Sequence, residues 1–124
     1  MTRPGVKTIL LVEDDEDLRS LLEKVLSEDY YVRSCGSATE ALRRLHTERV
    51  HVVLTDLGLP DLGGEYLVRA AHGAVPPVPV VAMSGDRDRL EACRELADAT
   101  LAKPCALPDM RAVVQRLARC CQEA

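Results

Sequence analysis

Aromatic residues are almost missing from this chain, with three tyrosines and neither tryptophan nor phenylalanine among 124 residues. A core must therefore be assembled from Leu, Val and Ala, and the platforms on which nucleic-acid bases stack are nearly absent. A basic surplus is missing too. Sixteen Lys and Arg stand against twenty Asp and Glu, a net charge of −4, which argues against a nucleic-acid-binding domain with a basic face. No run approaches the ~20 apolar residues needed to span a bilayer, and Met1-Thr2-Arg3-Pro4-Gly5 has no secretory apolar core. The expectation is a cytoplasmic protein that uses neither membrane nor nucleic acid. The five cysteines include no C-x-x-C pair. Cys35, Cys93, Cys105, Cys120 and Cys121 are expected as reduced thiols, some in the core and Cys120 or Cys121 exposed to oxidation. His46, His51 and His72 are scattered, so no His/Cys metal cluster exists and they read as surface or structural residues. No linker, repeat or low-complexity tract divides the chain, and residues 1–124 are expected to form one domain with no output domain after it.

What is present is alternation. Short apolar runs at Thr8 to Val12, Tyr30 to Cys35, Val50 to Thr55, Val78 to Met83 and Ala99 to Ala102 read as strands. Each is followed by a segment with helical spacing of apolar residues. Leu18, Leu21, Leu22, Val25 and Leu26 mark the first helix. Ala38, Ala41, Leu42 and Leu45 mark the second, opened by the capping-box pattern Ser37-Ala38-Thr39-Glu40. Leu67, Val68 and Ala71 mark a third over Gly64 to His72, and Leu90, Cys93, Leu96 and Ala97 a fourth over Asp86 to Leu96. Met110, Val113, Val114, Leu117 and Cys121 line a fifth, which begins near Leu107 or Pro108. Five βα units in so short a chain imply an α/β doubly wound parallel sheet with helices on both faces.

The strand ends carry the chemistry. Glu13 and Asp14 follow the first strand, Asp56 the third, Ser84 the fourth and Lys103 the fifth. With strand order 2-1-3-4-5 these groups share one crevice at the carboxyl rim, where such folds bind ligands. Crowded carboxylates repel unless a cation compensates them, and a hard divalent ion with oxygen ligands, Mg²⁺, is the economical answer. Metal, carboxylate, hydroxyl and ammonium together suit phosphoryl transfer. Asp56 would be the nucleophile, Ser84 a hydrogen-bond donor to the phosphoryl group and Lys103 a positive charge beside it. Duller readings exist for single residues. Ser84 could cap the following helix, Asp15 caps the first, Glu16 and Asp17 complement its dipole, Asp61 belongs to a loop, and Gly63-Gly64 serve the turn into the third helix by close backbone approach.

The segments Ile9-Leu10-Leu11-Val12-Glu13-Asp14-Asp15, Leu54-Thr55-Asp56-Leu57-Gly58-Leu59-Pro60, Gly64, Ala82-Met83-Ser84-Gly85 and Lys103-Pro104 resemble the receiver domain of bacterial two-component response regulators over about Lys7 to Cys121. The resemblance implies a flavodoxin-like (βα)5 fold and phosphorylation of Asp56 from the phosphohistidine of a sensor histidine kinase or phosphotransfer protein. It implies a Mg²⁺ site made by Glu13 or Asp14, Asp56 and the main-chain carbonyl of Gly58, with Asp14 favoured as the direct ligand. Ser84 and Lys103 match the family's phosphate-sensing hydroxyl and lysine, and the Lys103-Pro104 bond is cis in many relatives. The signal would pass to an unidentified downstream protein through the surface formed by the helix Asp86–Leu96, the strand Ala99–Ala102 and the helix from Leu107. Such a module is no enzyme beyond catalysing its own phosphorylation and dephosphorylation.

Three positions depart from the family's pattern. Thr100 occupies the position of the aromatic residue that swings inward in many receivers, and Cys105 follows Lys103-Pro104 where phenylalanine is frequent. Gly58 stands where a bulkier residue commonly flanks the phosphorylation site, which predicts a labile phosphoryl group. An aspartyl phosphatase of the haloacid-dehalogenase type would need a second aspartate at Gly58. A flavin site would need a phosphate loop where Glu13 to Asp17 stand. A phosphorylation-independent interaction module is the remaining alternative.

Overall fold

A computed structural model describes residues 5–120 of the chain. The expectations for the side chains of Cys120 and Cys121 fall outside the described residues. The elements alternate as β1 (Thr8–Val12), α1 (Glu16–Leu26), β2 (Tyr31–Cys35), α2 (Ala38–Thr47), β3 (Val52–Asp56), α3 (Glu65–His72), β4 (Val80–Ser84), α4 (Arg87–Cys93), β5 (Ala99–Ala102) and α5 (Leu107–Cys120). The five strands are parallel and ordered β2-β1-β3-β4-β5. The fold is the expected flavodoxin-like doubly wound sheet.

The two-residue period of a strand sends alternate side chains to opposite faces. Leu10, Val12, Val53, Val80 and Ala82 pack with Ala38, Ala41, Leu67, Val68, Ala71, Leu90 and Cys93, so α2, α3 and α4 cover that face. Ile9, Leu11, Val52, Leu54, Val81 and Met83 pack with Leu22, Leu26, Met110, Val114 and Leu117 beneath α1 and α5. β1, β3 and β4 are buried throughout, which is why they read as continuous apolar runs. Each fully buried aliphatic side chain contributes about 1.5–3 kcal/mol. Leu21 departs from its helical stripe and is 46% exposed, while Leu18 and Val25 are partly buried against the core. Cys35 and Cys93 are buried thiols and Cys105 is half-buried. His51 is buried and structural, its Nδ1 accepting from the Thr8 amide at 2.9 Å. His46 is exposed, and His72 Nε2 lies 2.8 Å from Asp98 Oδ2.

Helix starts are set by short polar side chains. Asp15 Oδ1 accepts from the Leu18 amide, and Ser37 Oγ accepts from the Glu40 amide. The Glu40 carboxylate turns to Arg43 and Arg44 and does not complete the capping box seen in the sequence. α4 begins with Asp86 as its cap and is shorter than expected. The Leu96 and Ala97 amides both turn back to the Cys93 carbonyl, and Asp98 then accepts from the Val80 amide at 2.7 Å, delivering the chain to β5. No described helix is long and apolar enough to cross a membrane.

Asp61 has more to do than its loop position suggests. Its carboxylate accepts from the amides of Ala38 and Thr39 at 3.0 and 2.9 Å and from the Thr39 hydroxyl at 2.6 Å. It therefore satisfies the first turn of α2, which Ser37 leaves half-served. The Thr39 hydroxyl first, then the two amides, hold its pKa well below the ordinary 3.8. A carboxylate with a depressed folded pKa stabilises the fold above its unfolded value and loses that contribution as pH falls toward the folded one. Asp61→Asn should melt below the wild type at neutral pH. The gap in melting temperature should narrow steadily once the pH drops below about 4. A gap that is constant through the acid range would show that the carboxylate charge plays no part.

Candidate functional site at the carboxyl rim

Each candidate residue is held where the strand ladder runs out. The Glu13 amide donates to the Cys35 carbonyl at 3.1 Å, one step beyond β1. The Leu57 amide donates to the Met83 carbonyl at 2.9 Å, fixing Asp56 at the end of β3. The Lys103 amide donates to the Ser84 carbonyl at 2.9 Å, tying the end of β5 to that of β4. The rim is thus an extension of the sheet itself, with side chains positioned by backbone hydrogen bonds. The Lys103-Pro104 peptide is cis, as the family resemblance implies.

The Lys103 ammonium reaches Glu13 Oε1 at 2.6 Å and Asp56 Oδ2 at 3.2 Å. Glu13 is enclosed, with 1% of its side chain exposed, against 11% for Asp56 and 23% for Lys103. Burial pushes the Glu13 carboxyl above its ordinary pKa, opposed by hydrogen bonds from Lys103 and the Asp15 amide. Burial alone would lower the Lys103 ammonium, but its contacts with Glu13 and Asp56 outweigh that and raise it. Both Glu13 oxygens are engaged, because Oε2 accepts from the Asp15 amide at 3.1 Å. Asp14 is exposed at the mouth. Ligand atoms of Glu13, Asp14 and Asp56 nonetheless lie within 4.8 Å of one another, a donor set of hard oxygens that fits a divalent cation of the Mg²⁺ kind. The Gly58 amide donates to Asp56 Oδ1 at 3.1 Å and folds its loop against the carboxylate.

Ser84 is 5% exposed, and its Oγ accepts from the Asp86 amide at 3.0 Å. Capping of α4 falls to Asp86, whose Oδ1 accepts from the Asp88 and Arg89 amides. Thr100 pairs in register with Ala82 and is half-buried. Two contacts at the rim were not apparent from the sequence. Arg19 Nη1 donates to the Glu13 carbonyl at 2.8 Å, a reach that follows from helical side chains pointing back toward the N-terminus. Arg89 in α4 turns to Glu65 across 24 residues of chain. Nothing local in the sequence signals that pair.

A doubly wound domain with carboxylates, a hydroxyl and an ammonium gathered at its carboxyl rim is the architecture of signal-receiving modules. Residues 9–115 match the family model described as response regulator receiver domain, and the chain belongs to that family. It is 32% identical over 121 residues to the transcriptional regulatory protein KdpE of Staphylococcus aureus, covering 93% of this chain and 52% of that protein. It is 35% identical over 81 residues to the response regulator receiver protein CpdR of Brucella abortus, covering 64% and 68% respectively. Against the C4-dicarboxylate transport regulator DctD of Rhizobium meliloti it spans 22% of the relative's length, so the chain matches about half or less of the larger regulators. Among solved structures, a CheY-like receiver domain protein from Methanospirillum hungatei superposes with a TM-score of 0.85 at 26% identity, covering 93% of this chain and 95% of that one.

Two glycines at the rim differ in what they permit. A Cβ on Gly64 would stand 2.6 Å from the Asp56 carbonyl oxygen and 2.9 Å from the Leu57 Cα, backbone atoms that cannot step aside. A Cβ on Gly58 would meet only Asp56 Oδ1, at an ordinary 3.8 Å. Gly64→Ala should therefore cost about 1–3 kcal/mol in urea unfolding, while Gly58→Ala should stay within about 0.5 kcal/mol of the wild type. Equal effects would contradict this account of the β3–α3 loop.

Proposed function

We propose that the chain is a phosphoacceptor signalling module, in which Asp56 takes a phosphoryl group from the phosphohistidine of a sensor histidine kinase or phosphotransfer protein. The observation that supports this most is the Asp56 carboxylate at the rim, under the Lys103 ammonium and beside the Glu13–Asp14 pair. In the reaction an Asp56 oxygen attacks phosphorus and a P–O bond forms. The P–N bond of the donor breaks, its electron pair returns to the imidazole, and the ring takes a proton from solvent. Lys103 neutralises the phosphoryl charge from the β5 side. Ser84 accepts from Asp86 with a lone pair, so its own O–H proton is available to a phosphoryl oxygen.

Asp14, Asp56 and the Gly58 carbonyl would hold Mg²⁺, with Glu13 reaching it through water because its own oxygens already have partners. The bound cation supplies charge neutralisation at the phosphoryl oxygens. The modified Asp56 would then alter the face formed by α4, β5 and α5, and through it an unidentified downstream protein. The chain itself acts on no outside substrate.

Incubation with Mg²⁺ and acetyl phosphate should add one phosphoryl group by intact mass. The addition should vanish in Asp56→Asn and on chelation of Mg²⁺. An unmodified wild type, or a modified Asp56→Asn, would sink the assignment. Gly58 leaves the acyl phosphate open to water, so the phosphoryl group should be short-lived, and Gly58→Asn should slow its hydrolysis severalfold. A wild-type half-life of many hours would contradict that reading.

A further inference from the structure

With Thr100 in place of an aromatic residue, β5 has no large side chain to swing in response to the site. The hydrogen bonds of the rim lead elsewhere. Ser84 Oγ accepts from the Asp86 amide at 3.0 Å, and Asp86 Oδ1 accepts from the Arg89 amide at 3.2 Å. Arg89 Nε and Nη2 then donate to Glu65 Oε2 and Oε1 at 3.1 and 3.3 Å. An unbroken run of contacts therefore joins the hydroxyl in the site to the first residue of α3.

Two glycines make that run compact. Gly64 lets the start of α3 sit on the Asp56 backbone, as described above. Gly63 leaves room for the guanidinium, since a Cβ there would stand 2.9 Å from Arg89 Nη2. Arg89 thus lies over the loop between Asp56 and α3. The hydrogen bond to Glu65 chiefly raises its pKa, with the charges of Glu65, Asp86 and, least, Asp56 adding.

We propose that Arg89 is a phosphoryl-responsive latch, held by Glu65 while Asp56 is a bare carboxylate and transferred to the phosphoryl oxygens when Asp56 is modified. The inference rests on Asp56 being the phosphoacceptor. The exchange swaps two carboxylate acceptors for two phosphoryl acceptors on one guanidinium, a fork that suits either. The Arg89–Glu65 pair is weak because its side chains are 38% and 34% exposed, and Glu65 passes easily to water. A phosphoryl group adds about one negative charge and three acceptor oxygens at the site. Release of Glu65 uncouples the first turn of α3 from α4. Beside the face formed by α4, β5 and α5, the response then reaches the α3–α4 edge, which carries the exposed Tyr66 next to Glu65.

The full chain with Mg²⁺ and beryllofluoride tests this, with the ¹⁹F spectrum reporting capture at Asp56 and the amide resonances of Glu65, Tyr66 and Leu67 reporting α3. In the wild type those amides should shift on capture. Arg89→Ala should bind beryllofluoride about two- to fivefold more weakly and lose the α3 shifts, whereas Glu65→Gln should bind about two- to fivefold more tightly. The double variant should match Arg89→Ala, because Glu65 acts only through the guanidinium. Additive effects in the double variant would reveal through-space charge alone and overturn the latch, as would α3 shifts that persist in Arg89→Ala. Capture that is absent in the wild type, or unchanged in Asp56→Asn, would overturn the phosphoacceptor reading and the latch together.

Discussion

The rim depends on one ammonium group. Glu13 and Asp56 stand in a nearly closed crevice, and two like charges at about 4 Å repel by on the order of 4 kcal/mol at an effective dielectric of about 20. Lys103 lies within 3.2 Å of both carboxylates and offsets that repulsion. It arrives from the far side of the sheet, 90 residues beyond Glu13 in sequence. The sheet order explains how it gets there, since β1, β3, β4 and β5 lie side by side and end at the same carboxyl rim, within two residues of one another in register. A lysine is the right residue for this place, because its compact charge on a flexible stem can move when a second cation or a phosphoryl group enters.

The same argument explains why Glu13 and Asp14 are not equivalent. Glu13 is buried and hydrogen-bonded at both oxygens, with Lys103 on one, the Asp15 amide on the other, and Arg19 bracing its main-chain carbonyl. It orders the crevice. Asp14 is exposed and keeps its carboxylate at the mouth, where a hydrated cation can approach with its water shell partly intact. Burial divides the labour between two adjacent acids that look alike on paper.

Much of the fold could be read from the residues because three of its strands are buried on both faces and its helices carry clean apolar stripes. The rim residues were readable for a related reason: in a parallel sheet, a polar residue directly after an apolar run must lie at the carboxyl edge. What could not be read was pairing between residues that no local pattern links. Asp61 looked like ordinary turn chemistry because its partners, Ala38 and Thr39, are 22 to 23 residues away. α4 ended early because Cys93 collects two returning amides, a contact set by the need to start β5 rather than by helix propensity. Leu21 fitted the helical spacing and still faced solvent, since a 3.6-residue stripe is narrower than the set of leucines in α1.

Family membership and the chemistry of this particular rim answer different questions. The family match extends over residues 9–115 and fixes what kind of domain this is. It leaves open how a change at Asp56 would travel, because the position of the customary aromatic is filled by Thr100, half-buried beside α4. A small β-branched residue offers no lever arm, and the groups that already touch offer another route. Ser84, Asp86, Arg89 and Glu65 do touch, in sequence, and they add hydrogen bonds to the packing that already joins β4, α4 and α3. Such a coupling suits a chain with three tyrosines and no larger aromatic: where bulk is scarce, charge and hydrogen-bond exchange are the means left for moving one surface relative to another.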